Sequence, residues 1–221
     1  MKRRKMVITG LKSFVNIFFI KKENGYIMVD TGMNSKAVDS AFRGTGISPD
    51  LVSHIIITHG HQDHYGGAAH ARELTGASVI AHESALEAMR SGTSEKLISH
   101  SMTGRIISFL MPKQKVRPVE ADIIIQDEFS LQDGDHAIRI LHTPGHSKGS
   151  VSIVLESGEI FCGDLLRGRP GKLNFSIWYD NYDDMVESLR KIEALEPEII
   201  YLSHGSPITN EDLGNFLANL K

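Results

Sequence analysis

The stretch that most constrains this chain is Ile55-Ile56-Ile57-Thr58-His59-Gly60-His61-Gln62-Asp63-His64, followed by Tyr65-Gly66-Gly67. His54 to Thr58 is a β-branched run, too short for a helix and with few positions suited to water. It reads as a strand buried on both faces, which needs covering layers on either side and so an α/β fold. Directly after it come His59, His61, Asp63 and His64, four metal-binding side chains within six residues. His59 and His61 are two apart, so in extended backbone they point to the same side. Asp63 and His64 come where the chain must turn into a helix, at Gly66-Gly67, and can face a second ion. Zinc takes imidazole nitrogen and carboxylate oxygen at short distance, so a loop at a strand end is a natural cradle.

The same pattern recurs along the chain. Asp30 follows the apolar run Tyr26 to Val29, His142 and His146 follow Ala137 to Leu141, Asp164 follows Ile160 to Cys162, and His204 follows Glu198 to Leu202. Each ligand type sits beyond a short apolar strand, where open sheets place their ligands. Between the strands, helices are predicted over Ser35–Phe42, Ala68–Leu74, Glu83–Met89 and Glu95–Leu110. Met185, Leu189, Ile192 and Leu195 mark one face of another, and Thr209-Asn210-Glu211-Asp212 opens a last one as a capping box. Phe14–Ile20 and Tyr26–Val29 read as a hairpin turning at Asn24-Gly25. Ile123–Gln126 and Val151–Leu155 complete the predicted strands.

Gly25 to Asp30 and Gly158 to Asp164 echo one another, a turn and strand ending in aspartate, and each half places strands before an amphipathic helix. This predicts one domain over residues 1–221: two mixed β-sheets face to face with helices outside, and a helical insertion near 91–120. Composition excludes several alternatives. A single cysteine leaves no internal disulfide, and a net charge of −3 gives no general attraction for nucleic acid or an acidic membrane. No run approaches the ~18 apolar residues of a span. The basic start Met1–Lys5 reads as the solvated beginning of an edge strand, so a cytoplasmic protein acting on a small molecule is expected. The oligomeric state stays open, a homodimer included. Of the 11 histidines, His54, His70, His82, His100, His136 and His142 read as surface or core hydrogen-bonding residues.

His59-x-His61-x-Asp63-His64, then His146, Asp164 and His204 in that order, with Asp30-Thr31-Gly32 before them, resemble the motifs of the metallo-β-lactamase-fold hydrolases. The resemblance runs from about residue 14 to 205 and implies a four-layer αβ/βα sandwich with metals at one edge of the sheets. It implies that His59, His61 and His146 bind one metal and that Asp63, His64 and His204 bind a second. Asp164 would bridge both, and Asp30 would hold the loops without ligating.

Departures from the family's branches narrow the reading. True β-lactamases of this fold usually lack a bridging aspartate, and one branch has cysteine there; here Asp164 stands at that position, with Cys162 two residues earlier. Flavodiiron proteins have Glu where His61 stands. Nucleases of the fold are longer and more basic. The segment Arg169–Phe175 lacks the Gly-Arg-Ser/Thr-Asp stretch of glyoxalase-II-like thioesterases, and their C-terminal helical extension is missing. What the resemblance leaves is a small dinuclear zinc hydrolase, with iron or manganese as alternative ions. It would cleave a carboxylic ester, thioester or lactone through a hydroxide shared by two metals, with Asp63 both ligating and orienting that nucleophile. The alternatives are a mononuclear iron oxidoreductase resembling persulfide dioxygenases, and a phosphodiesterase or nuclease. Phe175, Ile177, Trp178 and Tyr179, with the 91–120 insertion, are the expected apolar wall of the substrate pocket.

Overall fold

The computed structural model describes residues 7–11, 14–100, 115–133 and 136–220, together with positions 102, 104, 106 and 109. Strands β1 (Val7–Leu11), β2 (Ile17–Lys22), β3 (Gly25–Val29), β4 (Val52–Ile56), β5 (Ser78–His82) and β6 (Ile123–Ile125) form a six-stranded sheet in that order. Its first two pairings are antiparallel and the remaining three parallel. A five-stranded sheet runs β13 (Ile199–Tyr201), β10 (Glu159–Phe161), β9 (Val151–Leu155), β8 (His136–His142), β7 (Glu128–Asp133). Its β10–β13 pair is parallel and the other pairs antiparallel. A small sheet joins β12 (Lys172–Asn174), β11 (Arg167–Arg169) and β14 (His204–Gly205).

Strand alternation sorts the apolar residues into layers. Phe18, Ile20, Ile27, Val29, Ile56 and Ile80 face Ile138, Ile140, Val151, Ile153, Phe161 and Tyr201 across the inter-sheet core. Their neighbours Ile17, Phe19, Met28, Ile55, Ile57 and Val79 point the other way, against α1 (Ser35–Thr45), α3 (Ala68–Thr75) and α4 (Leu86–Ser91). On the far side Ile160, Cys162, Ile200 and Leu202 pack on α5 (Tyr182–Glu193) and α6 (Asn210–Ala218). The order helix, sheet, sheet, helix is the predicted sandwich, and β4 is buried on both faces as its β-branched run requires. Thr209 and Asp212 form the expected reciprocal cap on α6.

The structure departs from the sequence reading in several places. β5 and β7 are strands that the sequence left unassigned. The β2–β3 turn falls on Glu23-Asn24, one residue earlier than expected, and Gly25 opens β3 at φ 105°. A Cβ there would meet the Leu51 carbonyl oxygen at 2.3 Å. The helix predicted from Glu95 does not begin there. Thr93 to Ile98 has no regular structure, and Ser99 pairs antiparallel with Trp178. Here the Glu95 N–H donates to the Gly60 carbonyl at 2.9 Å, a tertiary contact that holds this segment against the first histidine loop. Positions 102, 104, 106 and 109 are helical, whereas Ile107, Leu110 and the basic start Met1–Lys5 lie outside the described residues. None of the described helices is long and apolar enough to cross a membrane.

Candidate metal centre

The four strand-end loops converge on one edge of the two sheets. Beyond β4 the chain runs through Thr58 and His59 to a short helix α2 (Gln62–Tyr65), which carries Asp63 and His64. The turn from α2 into α3 falls at Gly66-Gly67, where the loop after β3 crosses closely. A Cβ at Gly66 would meet the Met33 carbonyl oxygen at 2.2 Å, and one at Gly67 the Thr31 oxygen at 2.6 Å. That crossing brings Asp30 beneath the histidines.

Asp30 is fully buried, with φ 56°. Its carboxylate accepts from the Thr58 N–H at 2.9 Å, from Thr58 Oγ1 and from His64 Nδ1 at 2.8 Å, and Ser203 Oγ lies at 3.4 Å. A carboxylate only accepts, so His64 carries its proton on Nδ1 and presents Nε2 to the site. The Thr58 hydroxyl, having given its hydrogen to Asp30, accepts from His59 Nδ1 at 3.0 Å. His59 Nε2 is therefore also left as a free lone pair. One carboxylate thus sets the tautomers of two prospective ligands, in the manner of groups behind metal-binding histidines.

Seven side chains from these loops come together as overlapping donor sets: His59, His61 and His146; His59, His64 and Asp164; and Asp63, His64 and His204. Within each set the donor atoms lie within 4.8 Å of one another. His61 Nδ1 faces His146 Nε2 at 3.0 Å. His204 Nε2 lies 3.3 Å from both Asp63 Oδ2 and Asp164 Oδ2, and His64 Nε2 lies 3.6 Å from Asp63 Oδ2. Two donors on one tetrahedral zinc, with bonds of about 2.0–2.1 Å, stand roughly 3.3 Å apart, so the cluster has the right span. Nε2 of His59, His61 and His64, Nδ1 of His146 and Oδ1 of Asp164 are buried without a hydrogen-bond partner. Buried polar atoms without partners at this density are lone pairs available to a cation. The residues fit a metal.

Electrostatics divide the cluster. Burial, reinforced by the neighbouring imidazoles, pushes His59 well below its usual range, and burial with His146 pushes His61 down to about 3. Those imidazoles stay neutral, the form that ligates. Burial would lower His64 and His204 too, but Asp63, Asp164 and Asp30 raise His64 to about 9, and Asp164 and Asp63 raise His204 to about 10, so each holds a proton facing the carboxylates that a cation bound there would displace. Burial would lift the Asp63 carboxyl, yet His64 and the hydrogen bond from His204 hold it at about 2.

All seven predicted ligands and Asp30 thus meet at one place. Trp178 and Tyr179 lie where the insertion meets the His146 loop: Tyr179 N–H donates to the Ile98 carbonyl, and Asp180 N–H to the Gly145 and His146 carbonyls. Phe175 sits farther out, edge-on to Tyr182 and Phe216 and against the outer core. His54, His70, His82, His100 and His142 each make a hydrogen bond to a group outside the cluster, and the His136 side chain lies outside the described residues. Sequence reasoning missed Thr58 and Ser203, which share Asp30. It also missed Phe14, a largely exposed ring set edge-on to His204 at 4.9 Å. Thr58 had one available signal, since it directly precedes the first histidine.

A family model described as the metallo-beta-lactamase superfamily matches residues 11–204. The chain is 26% identical to the probable metallo-hydrolase YqgX of Bacillus subtilis over 226 residues, 98% of each chain. It is 23% identical to human acyl-coenzyme A thioesterase MBLAC2 over 195 residues, covering 81% of this chain and 67% of that protein. Identity reaches 30% over 188 residues with the hydroxyacylglutathione hydrolase of Pelagibacter ubique, covering 81% and 65%. Among solved structures, the BLEG-1 B3 metallo-beta-lactamase superposes with TM-score 0.72 at 22% identity, over 97% of this chain and all of that one. That last likeness concerns the fold.

Proposed function

This chain belongs to the metallo-beta-lactamase superfamily, and from that premise we propose that it is a dinuclear zinc hydrolase cleaving a carboxylic ester, thioester or lactone. The observation that carries the reading is Asp164. Its Oδ1 lies 3.6 Å from His64 Nε2, and its Oδ2 lies 3.7 Å from His146 Nε2 and 3.3 Å from His204 Nε2. One carboxylate therefore reaches donors of both sets, the arrangement that offsets repulsion between two dications. His59, His61 and His146 would hold the first ion and Asp63, His64 and His204 the second.

Bound there, two zinc ions would lower the pKa of a water to about 7 and polarise a carbonyl oxygen. The chain's own groups prepare that chemistry. Asp30 and Thr58 present His59 and His64 through Nε2. Asp63, ionised at neutral pH, can only accept a hydrogen bond and so orients the attacking water. Trp178, Tyr179 and the insertion would seat the acyl group and exclude bulk water. Relatives named for acyl-coenzyme A and hydroxyacylglutathione hydrolysis support acyl transfer to water, with thioesters first among the three classes.

The test is a zinc titration of metal-free protein against an aryl ester, an acyl thioester, a lactone and a bis-aryl phosphate. Activity on an acyl substrate that saturates at two equivalents is expected. Full activity at one equivalent refutes the dinuclear centre, and turnover confined to the phosphodiester refutes the substrate class.

A further inference from the structure

Gly60 separates His59 from His61, so rotation about its backbone would swing either imidazole out of place. Both polar groups of this residue are tied to Glu95. The Gly60 N–H donates to Glu95 Oε2 at 2.6 Å, and the Glu95 N–H donates to the Gly60 carbonyl at 2.9 Å. The same Oε2 accepts from Ser147 Oγ at 2.8 Å, and Ser147 directly follows His146. The Gly149 N–H donates to the same Ser147 hydroxyl at 3.2 Å. Two glycines leave room for the carboxylate. A Cβ on Gly60 would lie 2.9 Å from Glu95 Cγ and Oε2, and one on Gly149 would lie 3.2 Å from Oε1.

We propose that Glu95 is a positioning residue of the metal centre, its carboxylate latching the His59–His61 loop to the His146 loop so that three imidazoles converge on one ion. The inference rests on the reading of the site as a metal centre. The two loops are 85 residues apart between His61 and His146, and they belong to different sheets. Apart from the imidazole pair itself, Glu95 is a group that bonds to both. A carboxylate suits the place because the Gly60 N–H and the Ser147 hydroxyl both donate to it. Both donors reach the same Oε2, so an amide oxygen there would keep the two bonds but without the charge that strengthens them. Burial pushes the Glu95 carboxyl up, and the bonds from Ser147 and Gly60 pull it back toward the ionised form, in which each bond is about twice as strong as a neutral one.

The test compares full-length wild type with Glu95→Gln, Glu95→Ala and Ser147→Ala. Metal-free melting temperature and circular dichroism report folding, and competition with a chromophoric chelator reports the affinity of each zinc equivalent. Glu95→Ala is expected to weaken the tighter zinc by about 10–100-fold, the range for groups behind metal ligands, and Glu95→Gln, which keeps both bonds in neutral form, by less and with a metal-free melting temperature within a few degrees of wild type. Ser147→Ala should move in the same direction by less, and it serves if Glu95→Ala does not fold. A purely structural role for Glu95 predicts lower melting temperatures with unchanged zinc affinity per folded molecule, and that result overturns the proposal. Wild type that takes up zinc alongside variants that take it up equally well overturns the latch alone. Wild type that takes up none overturns the hydrolase reading and the latch with it.

Discussion

Asp30→Asn isolates the tautomer relay, because it changes charge and hydrogen-bond polarity without changing shape. The backbone at Asp30 has φ 56°, a region that asparagine, like aspartate, tolerates better than other side chains, so no new strain enters. In the native site one oxygen accepts from the Thr58 N–H at 2.9 Å and the other from His64 Nδ1 at 2.8 Å. An amide satisfies only one of these as an acceptor. If its oxygen stays with the Thr58 N–H, its NH2 faces His64, which must then carry its proton on Nε2, where the metal should bind. Replacing a charge-assisted bond of about 1.5–3 kcal/mol by a neutral one of about 0.5–1.5 costs about 1–2 kcal/mol of stability. The inverted tautomer should weaken the second zinc by about 10–100-fold, or about 1.4–2.8 kcal/mol. Thr58→Val is the companion change: it removes the hydroxyl that orients His59 and should weaken the first zinc. Urea unfolding of metal-free protein gives the stability change, and chelator competition gives the affinities. Folded Asp30→Asn protein that binds both zinc ions as tightly as wild type would refute the relay.

Asp164→Ala removes the group shared by both sets and should leave at most one zinc per chain, with turnover down by at least about a hundredfold; metal analysis after gel filtration checks the first and initial rates the second. Cys162 lies in the outer core, where burial first and Asp164 second push its thiol up to about 12. Iodoacetamide at pH 8 should therefore leave it unmodified in native protein and label it fully in denaturant, as read by mass spectrometry. His82 is buried, and burial with the stacked His142 lowers its pKa from 6.5. The unfolded chain binds a proton there before the native one does, so stability falls as pH drops below about 6.5. Melting temperature should decline less steeply between pH 7 and 5 in His82→Gln than in wild type, and equal slopes would exclude this contribution. Trp178→Ala should raise KM for a long-chain acyl ester about tenfold while leaving an acetyl ester within about twofold; equal changes would show that the ring does not touch the acyl group.

Residue pattern alone assigns the layers and picks out the candidate ligands. Alternation such as Ile17-Phe18-Phe19-Ile20 and Ile55-Ile56-Ile57 assigns each side chain to the inter-sheet core or to the helix-covered face, because a strand's side chains alternate by geometry alone. The ligands were legible for a related reason. A metal demands particular donor atoms, and His59, His61, Asp63 and His64 supply them at spacings that the local backbone fixes. Tertiary structure decided what holds them. Asp30 meets Thr58, His64 and Ser203 across separations of 28, 34 and 173 residues, and Glu95 meets Gly60 and Ser147 across 35 and 52. Neither Glu95 nor Ser147 carries a local signal, since a glutamate near a predicted helix start reads as ordinary solvated charge. β5 and β7 were missed for the same kind of reason: Ser78–His82 and Glu128–Asp133 take their conformation from pairing with β4 and β8, and pairing energy belongs to the neighbouring strand as much as to the segment. Four of the candidate ligands, His59, His61, Asp63 and His64, lie close together in sequence, and His146, Asp164 and His204 join them only through the fold. The hydrogen bonds that aim those ligands exist only once the register of both sheets is set.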